Sequence, residues 1–121
     1  MKIAYADEWL RNLFTSNSAL QLACGLDWQT LATVTVLIGS VAHLSSLALQ
    51  PAVQVVLIAT AVGTPAQVAI RLGEVELLVQ PIDDRGRAIL GADQRALNRA
   101  TRLLLSGIAV RGVALERSQI A

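Results

Sequence analysis

The sequence predicts an α+β fold rich in strand: an N-terminal helical segment, then a mostly antiparallel sheet or sandwich, with a late helix as an added element. Three observations carry this. Trp9, Leu10, Leu13 and Phe14 fall at helical spacing. From Val53 onward, apolar residues run in short blocks or alternate with period two. Turn signals separate those blocks, at Gly63-Thr64-Pro65, Gly73-Glu74 and Asp83-Asp84-Arg85-Gly86-Arg87.

The chain has 121 residues, the size of one domain of roughly 100–150 residues. Residues 1–26 read as a helical leader and 27–121 as a strand-rich body. Ala6 to Thr15 is the first helix, with Asp7 placed to cap it and Glu8 in its first turn. Thr15-Ser16-Asn17-Ser18 is a break. Further helix can start at Ser18 or Asp27, with Gly25 between them. Trp28, Leu31 and Ala32 fit a helical face, but Val34 to Val41 is rich in β-branched residues and reads as a strand. Val53 to Ile58 is a continuous apolar run, the pattern of a central strand covered on both faces.

Val68, Ile70 and Leu72 alternate with Gln67, Ala69 and Arg71, and the phase slips at Gly73-Glu74 before Val75, Leu77 and Val79 resume it. A bulge or a tight hairpin at Gly73 accounts for the slip. Asp83 at the front and Gly86 at the back of the next turn suit a type I turn with a left-handed exit. Arg87 to Leu90 then returns as a strand. For residues 94–105 two readings compete. One is a helix capped by Asp93 and ended by Gly107; the other is a strand from Thr101 to Leu105 paired with Ile108 to Leu115.

Charge and composition narrow the chemistry. Residues of the AVILMFWYC set make up 54% and aromatics only 3%, so the core after Trp28, where no aromatic occurs, must be aliphatic. That argues against aromatic-lined pockets and base-stacking platforms. A net charge of +1 gives the whole molecule no strong pull on nucleic acid or acidic lipid. Cys24 is the only cysteine, which rules out an internal disulfide and any multi-cysteine zinc site. No apolar signal region follows Met1-Lys2.

From Trp28 to Ile70 there is no Asp, Glu, Lys or Arg. Leu31 to Leu49 is therefore long enough to be weighed as a membrane span. It contains Thr33, Thr35, Ser40, His43, Ser45 and Ser46, no aromatic marks its second edge, and neither flank carries an excess of Lys or Arg. A soluble set of buried strands fits better.

The single histidine, His43, has serines nearby but no acid closer in sequence than Asp27 and Glu74, and no nucleophile-elbow glycines. A structural histidine is the better reading, as a buried small apolar role is for Cys24. Glu74, Glu76, Asp83 and Asp84 match no calcium-loop spacing and read as solvated charges. Arginine is the most distinctive feature. Arg85, Arg87, Arg95, Arg99, Arg102, Arg111 and Arg117 face only Asp93 and Glu116 between residues 85 and 117, a local net charge of 7 − 2 = +5. On a helix, Arg95, Arg99 and Arg102 form one stripe that suits phosphates or an acidic helix, beside the plainer reading of a solvated polar face. Asp83, Asp84, Arg85 and Arg87 form a turn that is a second candidate contact surface. Neither GxGxxG nor a Walker-type phosphate loop occurs.

Asp27-Trp28-Gln29-Thr30-Leu31 after the leading helix, Val53 to Thr60, and Val75 to Val79 running into the Asp83–Arg87 turn together resemble an uncharacterised cyanobacterial family, a domain of unknown function. The resemblance implies a β-rich accessory domain and assigns no catalytic residue.

The expected function is a non-enzymatic protein-interaction or assembly module without metal or cofactor, cytoplasmic, binding a protein partner or its own copies. Two rivals remain: a small membrane-anchored subunit using 31–49, and an arginine-mediated binder of nucleic acid or an acidic protein.

Overall fold

A computed structural model describes residues 1–58, 63–90 and 98–115. The elements run β1 (Lys2–Tyr5), α1 (Glu8–Thr15), α2 (Asn17–Cys24), a 3₁₀ turn (Gly25–Asp27), α3 (Trp28–Ser40), α4 (Leu44–Ala48), β2 (Val53–Ile58), β3 (Gln67–Leu72), β4 (Val75–Ile82), β5 (Arg102–Val110) and β6 (Val113–Ala114). The fold is α+β and β-rich. Among the described residues the sheet has the order β1-β5-β4-β3-β2, with β6 also on β5. All pairings are antiparallel except β1 with β5.

The helices lie on one face of this sheet and the core is the layer between. Leu10 and Leu13 of α1, Leu31, Val34 and Ile38 of α3, and Leu44 and Leu47 of α4 are buried with Val68, Ile70, Val75, Leu77, Val79, Leu103, Leu105 and Ile108. These strand residues alternate, as a half-covered sheet requires. The other face carries Val56, Leu78 and Leu104, none of which joins that cluster. Ala69 is buried yet also stands outside it. No polar or charged side chain is buried among the described residues.

Local chemistry sets the helix ends. Asp7 occupies the position before α1 without a side-chain bond, and its carbonyl accepts from Arg11 N at 3.2 Å. Ser16 caps α2, its Oγ accepting from Ala19 N at 3.3 Å. Gly25 ends α2 at φ 58°, a conformation open to glycine. The amino group of Met1 donates to Ile38 O at 2.9 Å and to Val41 O, placing a positive group at the C-terminus of α3.

Gly73 resolves the phase slip as a hairpin. Leu72 pairs with Val75 across a two-residue turn with Gly73 at φ 57°, the positive angle that a type II′ turn needs at its first central position. A bulge sits instead in β5. Leu78 opposes Gly107 while Val79 opposes Leu105, so Ser106 is the extra residue, and its Oγ donates to Leu78 O at 3.2 Å.

Several expectations need correction. Val34 to Val41 is not a strand: α3 runs through it to Ser40. The helix wins because Leu31, Val34 and Ile38, at i, i+3 and i+7, are all buried against the sheet. Thr33 and Thr35 return their hydroxyls to the carbonyls of Gln29 and Leu31 (2.8 and 2.9 Å), which satisfies them in helical geometry. The helical part thus reaches Ala48, beyond the expected boundary at 26, and is preceded by β1. Leu31 to Leu49 is not one helix either, since Val41 is extended and α4 begins anew at Leu44.

Val53 to Ile58 is a strand, but an edge strand with Gln54 and Val56 exposed. The interior strand is β3, where Val68, Ala69 and Ile70 are buried in succession, Ala69 between the Val56 and Leu78 of its neighbours. The late helix is also absent where the chain is described. Residues 98–99 form a turn and Arg102–Val110 is one strand, with Gly107 inside it rather than ending a helix. The rival strand reading of Thr101 to Leu105 was nearer, although its partners are β4 and β1. Residues 94–97 lie outside the described residues. Arg87 to Leu90 makes only isolated bridges, Ile82 with Ala88 and Pro65 with Leu90.

Candidate interaction surfaces

The first candidate surface is the outward side of the helices. Between Ser18 and Ala52 no exposed position is Asp, Glu, Lys or Arg. Protein surfaces are ordinarily about 25–35% charged, so this is a departure with a cause in the sequence, the uncharged run after Asp27. Large aliphatic side chains stand out from it: Leu26 is 92% exposed, Leu22 85%, Leu49 83% and Val36 70%. Leu22 lies near the end of α2 and Leu26 in the 3₁₀ turn that follows it. The single acid in this stretch, Asp27, is sheltered and paired, accepting from Arg111 Nε at 3.0 Å.

The helical run Ser18–Ser40 spans 23 residues and is long and apolar enough to cross a membrane. Its path is broken at Gly25 (φ 58°, ψ −125°), and it gives Leu31, Val34 and Ile38 to the core.

The second candidate surface gathers part of the arginine set. Asp83 organises its turn: its Oδ1 accepts from Arg85 N and Arg87 N, both at 2.9 Å, while Gly86 N donates to Asp83 O at 3.1 Å. Gly86 takes φ 79°, the left-handed exit expected there. Hydrogen bonds from the Arg87 and Arg85 amides hold the Asp83 carboxyl below its ordinary range, with the two guanidinium charges adding to the effect against partial desolvation. Arg87 Nε lies 3.9 Å from Asp83 Oδ2.

A shallow depression beside this turn is lined by Asp83, Asp84, Arg85, Arg87 and Arg99 among others. Arg102 lines a neighbouring one with Lys2 and Asp84. The predicted helical stripe of Arg95, Arg99 and Arg102 is therefore corrected. Arg99 sits in a turn and Arg102 opens β5 between Lys2 and Ile82, while Arg95 lies outside the described residues. Sequence spacing missed that Arg99 comes to Arg85 and Arg87, because strand pairing rather than helical period brings them together.

The remaining candidates do not converge. Glu76 pairs with Arg71 across β3 and β4 (Nε–Oε2 2.9 Å), and Glu74 occupies the hairpin turn, its carbonyl accepting from Arg111 N. Among the described residues no three of His, Cys, Asp and Glu are grouped to hold a metal ion. His43 is exposed at the start of α4, where its carbonyl accepts from Ser46 N and Leu47 N, and no side chain bonds its imidazole. Cys24 is buried. Burial raises its thiol pKa, and the nearby Asp27 charge adds to that.

Of the three segments singled out in the sequence, Trp28 to Leu31 opens α3, Val53 to Ile58 is β2 and Val75 to Val79 lies in β4. No protein-family model matches the chain, and no curated protein or solved structure matches it either.

Proposed function

We propose that this chain is a non-catalytic interaction or assembly module that works through the uncharged outer surface of α2 to α4. One observation carries the reading: four large aliphatic side chains, each at least 70% exposed, stand on the stretch 18–52, which itself exposes no Asp, Glu, Lys or Arg. Apolar surface of this kind is stabilised by being covered. Charged groups are depleted from the centres of protein interfaces, and this stretch exposes none of its own.

The test is the native mass of the chain in a cell extract prepared without detergent. A complex well above the 12.8 kDa of the chain is expected. A Leu22→Glu, Leu26→Glu double variant should lose that large complex with an unchanged circular dichroism spectrum, since both sites are exposed. A wild-type chain running at its own mass overturns the proposal. Release only by detergent overturns it in favour of the membrane reading, for which Ser18–Ser40 is the candidate.

A second reading, an arginine-mediated binder, is supported by Arg85, Arg87 and Arg99 sharing one depression. It predicts salt-sensitive binding to a polyanion that weakens in an Arg85→Ala, Arg99→Ala variant. Absence of binding at low salt removes it.

A further inference from the structure

We infer that β2 is a self-association edge: the strands of two copies pair antiparallel through Val53–Ile58 and extend the sheet across a two-fold axis. The inference shares with the proposed function only the idea of assembly. It uses a different surface, so either can fail alone.

Among the described residues the two edges of the sheet differ. One consists of the four-residue β1, which begins with Lys2, and the two-residue β6. Short edge strands and edge lysines are devices that discourage further pairing. The other edge, β2, has six residues in regular register with β3, without charge, proline or bulge. A strand of this kind is a template for another strand.

The core is also incomplete at this edge. Core-facing residues of the inner strands are closed off: Val68, Ile70, Leu77 and Val79 are at most 1% exposed. Val55 and Leu57, which face the same layer from β2, pack on it but stay partly exposed. A neighbouring strand carrying the same residues would cover them.

Symmetry favours a second copy as the occupant. A two-fold interface sets each residue near the axis against its own copy or close neighbours, so like charges meet. Val53-Gln54-Val55-Val56-Leu57-Ile58 has none to repel, and no charge by which to select a different partner. Pairing that keeps the helices of both copies on one side must set a residue opposite itself, because facing residues in antiparallel strands point the same way. The centre is therefore Val55 or Val56. With Val56 at the axis, Gln54 meets Ile58 and Val55 meets Leu57. The uncharged outer row Val56–Ala69–Leu78–Gly107 then continues into its symmetry mate.

The experiment is light scattering on the purified full chain at its highest soluble concentration. Twice the 12.8 kDa chain mass is expected for the wild type, and the single-chain mass for Val56→Lys with an unchanged circular dichroism spectrum. Should Val56→Lys fail to fold, single-cysteine substitution replaces it. Val55→Cys or Val56→Cys should give a covalent dimer with a short bis-maleimide, and Val113→Cys on the opposite edge should not. A monomeric wild type overturns the inference, as does a dimer that survives Val56→Lys or no cross-link at either β2 position. A purified monomer that still migrates in a large complex in extract would sink this inference and leave the helical surface standing.

Discussion

Arg111 and Asp27, 84 positions apart, form an ion pair at 3.0 Å that ties the corner between β5 and β6 to the start of α3. Arg111 stands at φ 53° and Gly112 at φ 79°, two left-handed residues between the paired Val110 and Val113, as a type I′ turn requires. An arginine there is strained where asparagine or glycine is usual. Its backbone N donates to Glu74 O at 2.8 Å, so one residue joins two corners and a helix start. The hydrogen bond to Asp27, and then that carboxylate's charge, raise the Arg111 pKa, so the guanidinium stays charged throughout the accessible range.

Arg111→Ala is expected to lower the melting temperature by a few degrees, because it removes the pair and keeps a Cβ at a left-handed position. Arg111→Gly should lose less, having shed the strain. The pair is mostly solvent-facing on the arginine side, with 62% of that side chain exposed, so the loss should shrink in high salt. Thermal melts of both variants at two salt concentrations check this. Equal losses would remove the role assigned to backbone strain.

Val34 and Val36 separate helix from strand directly. In a strand they would share a face; in α3 Val34 is fully buried and Val36 is 70% exposed. Val34→Ala should cost about 2 kcal/mol, two buried carbons plus a residual cavity. Val36→Ala should stay within about 0.5 kcal/mol of the wild type. Urea unfolding of the two variants measures the difference, and equal costs would contradict the helix.

Asp83 makes the turn acid-sensitive. Its folded carboxyl titrates below the unfolded value of about 3.9, held there chiefly by the Arg87 amide. Its contribution is therefore present above the unfolded pKa and is lost as pH falls through the lower folded value. Asp83→Ala should destabilise the protein at neutral pH, with the gap to the wild type closing in acid. Asp83→Asn keeps an acceptor for both amides and should retain most of the stability while losing that pH dependence. Urea midpoints across a pH series read out all three proteins.

Cys24 should be chemically quiet. Burial, with the Asp27 charge adding to it, keeps the thiol protonated, and the thiolate is the reactive form. A thiol-reactive chromogen is expected to label no cysteine in the native state and one per chain in denaturant. Fast native labelling would show that α2 opens readily from the core.

Much of the local structure was legible in residues 53–90. Gly73 and the Asp83–Gly86 turn are readable because a positive φ and an aspartate that accepts from its own turn are local chemistry. The period-two alternation of Val75 to Val79 is equally local. The first helix was readable from Trp9 to Phe14 for the same reason. The candidate surfaces were not. The sequence showed an uncharged run after Trp28 but not that Leu22, Leu26 and Leu49 stand outside the core. It showed abundant arginine but not that Arg99 lines one depression with Arg85 and Arg87.

What the sequence determined by itself was the turns at Gly63–Pro65 and Asp83–Arg87, the break at Gly73, the early helix and the aliphatic character of the core. Each depends on contacts within a few residues or on composition. The tertiary structure alone decided that Val34 to Val41 is helical, because burying Leu31, Val34 and Ile38 against the sheet outweighs the small intrinsic preference of β-branched residues for strand. It also decided that β2 lies at an edge and β3 within. Their apolar runs look alike in sequence, and only strand order distinguishes a face covered by neighbours from one left open.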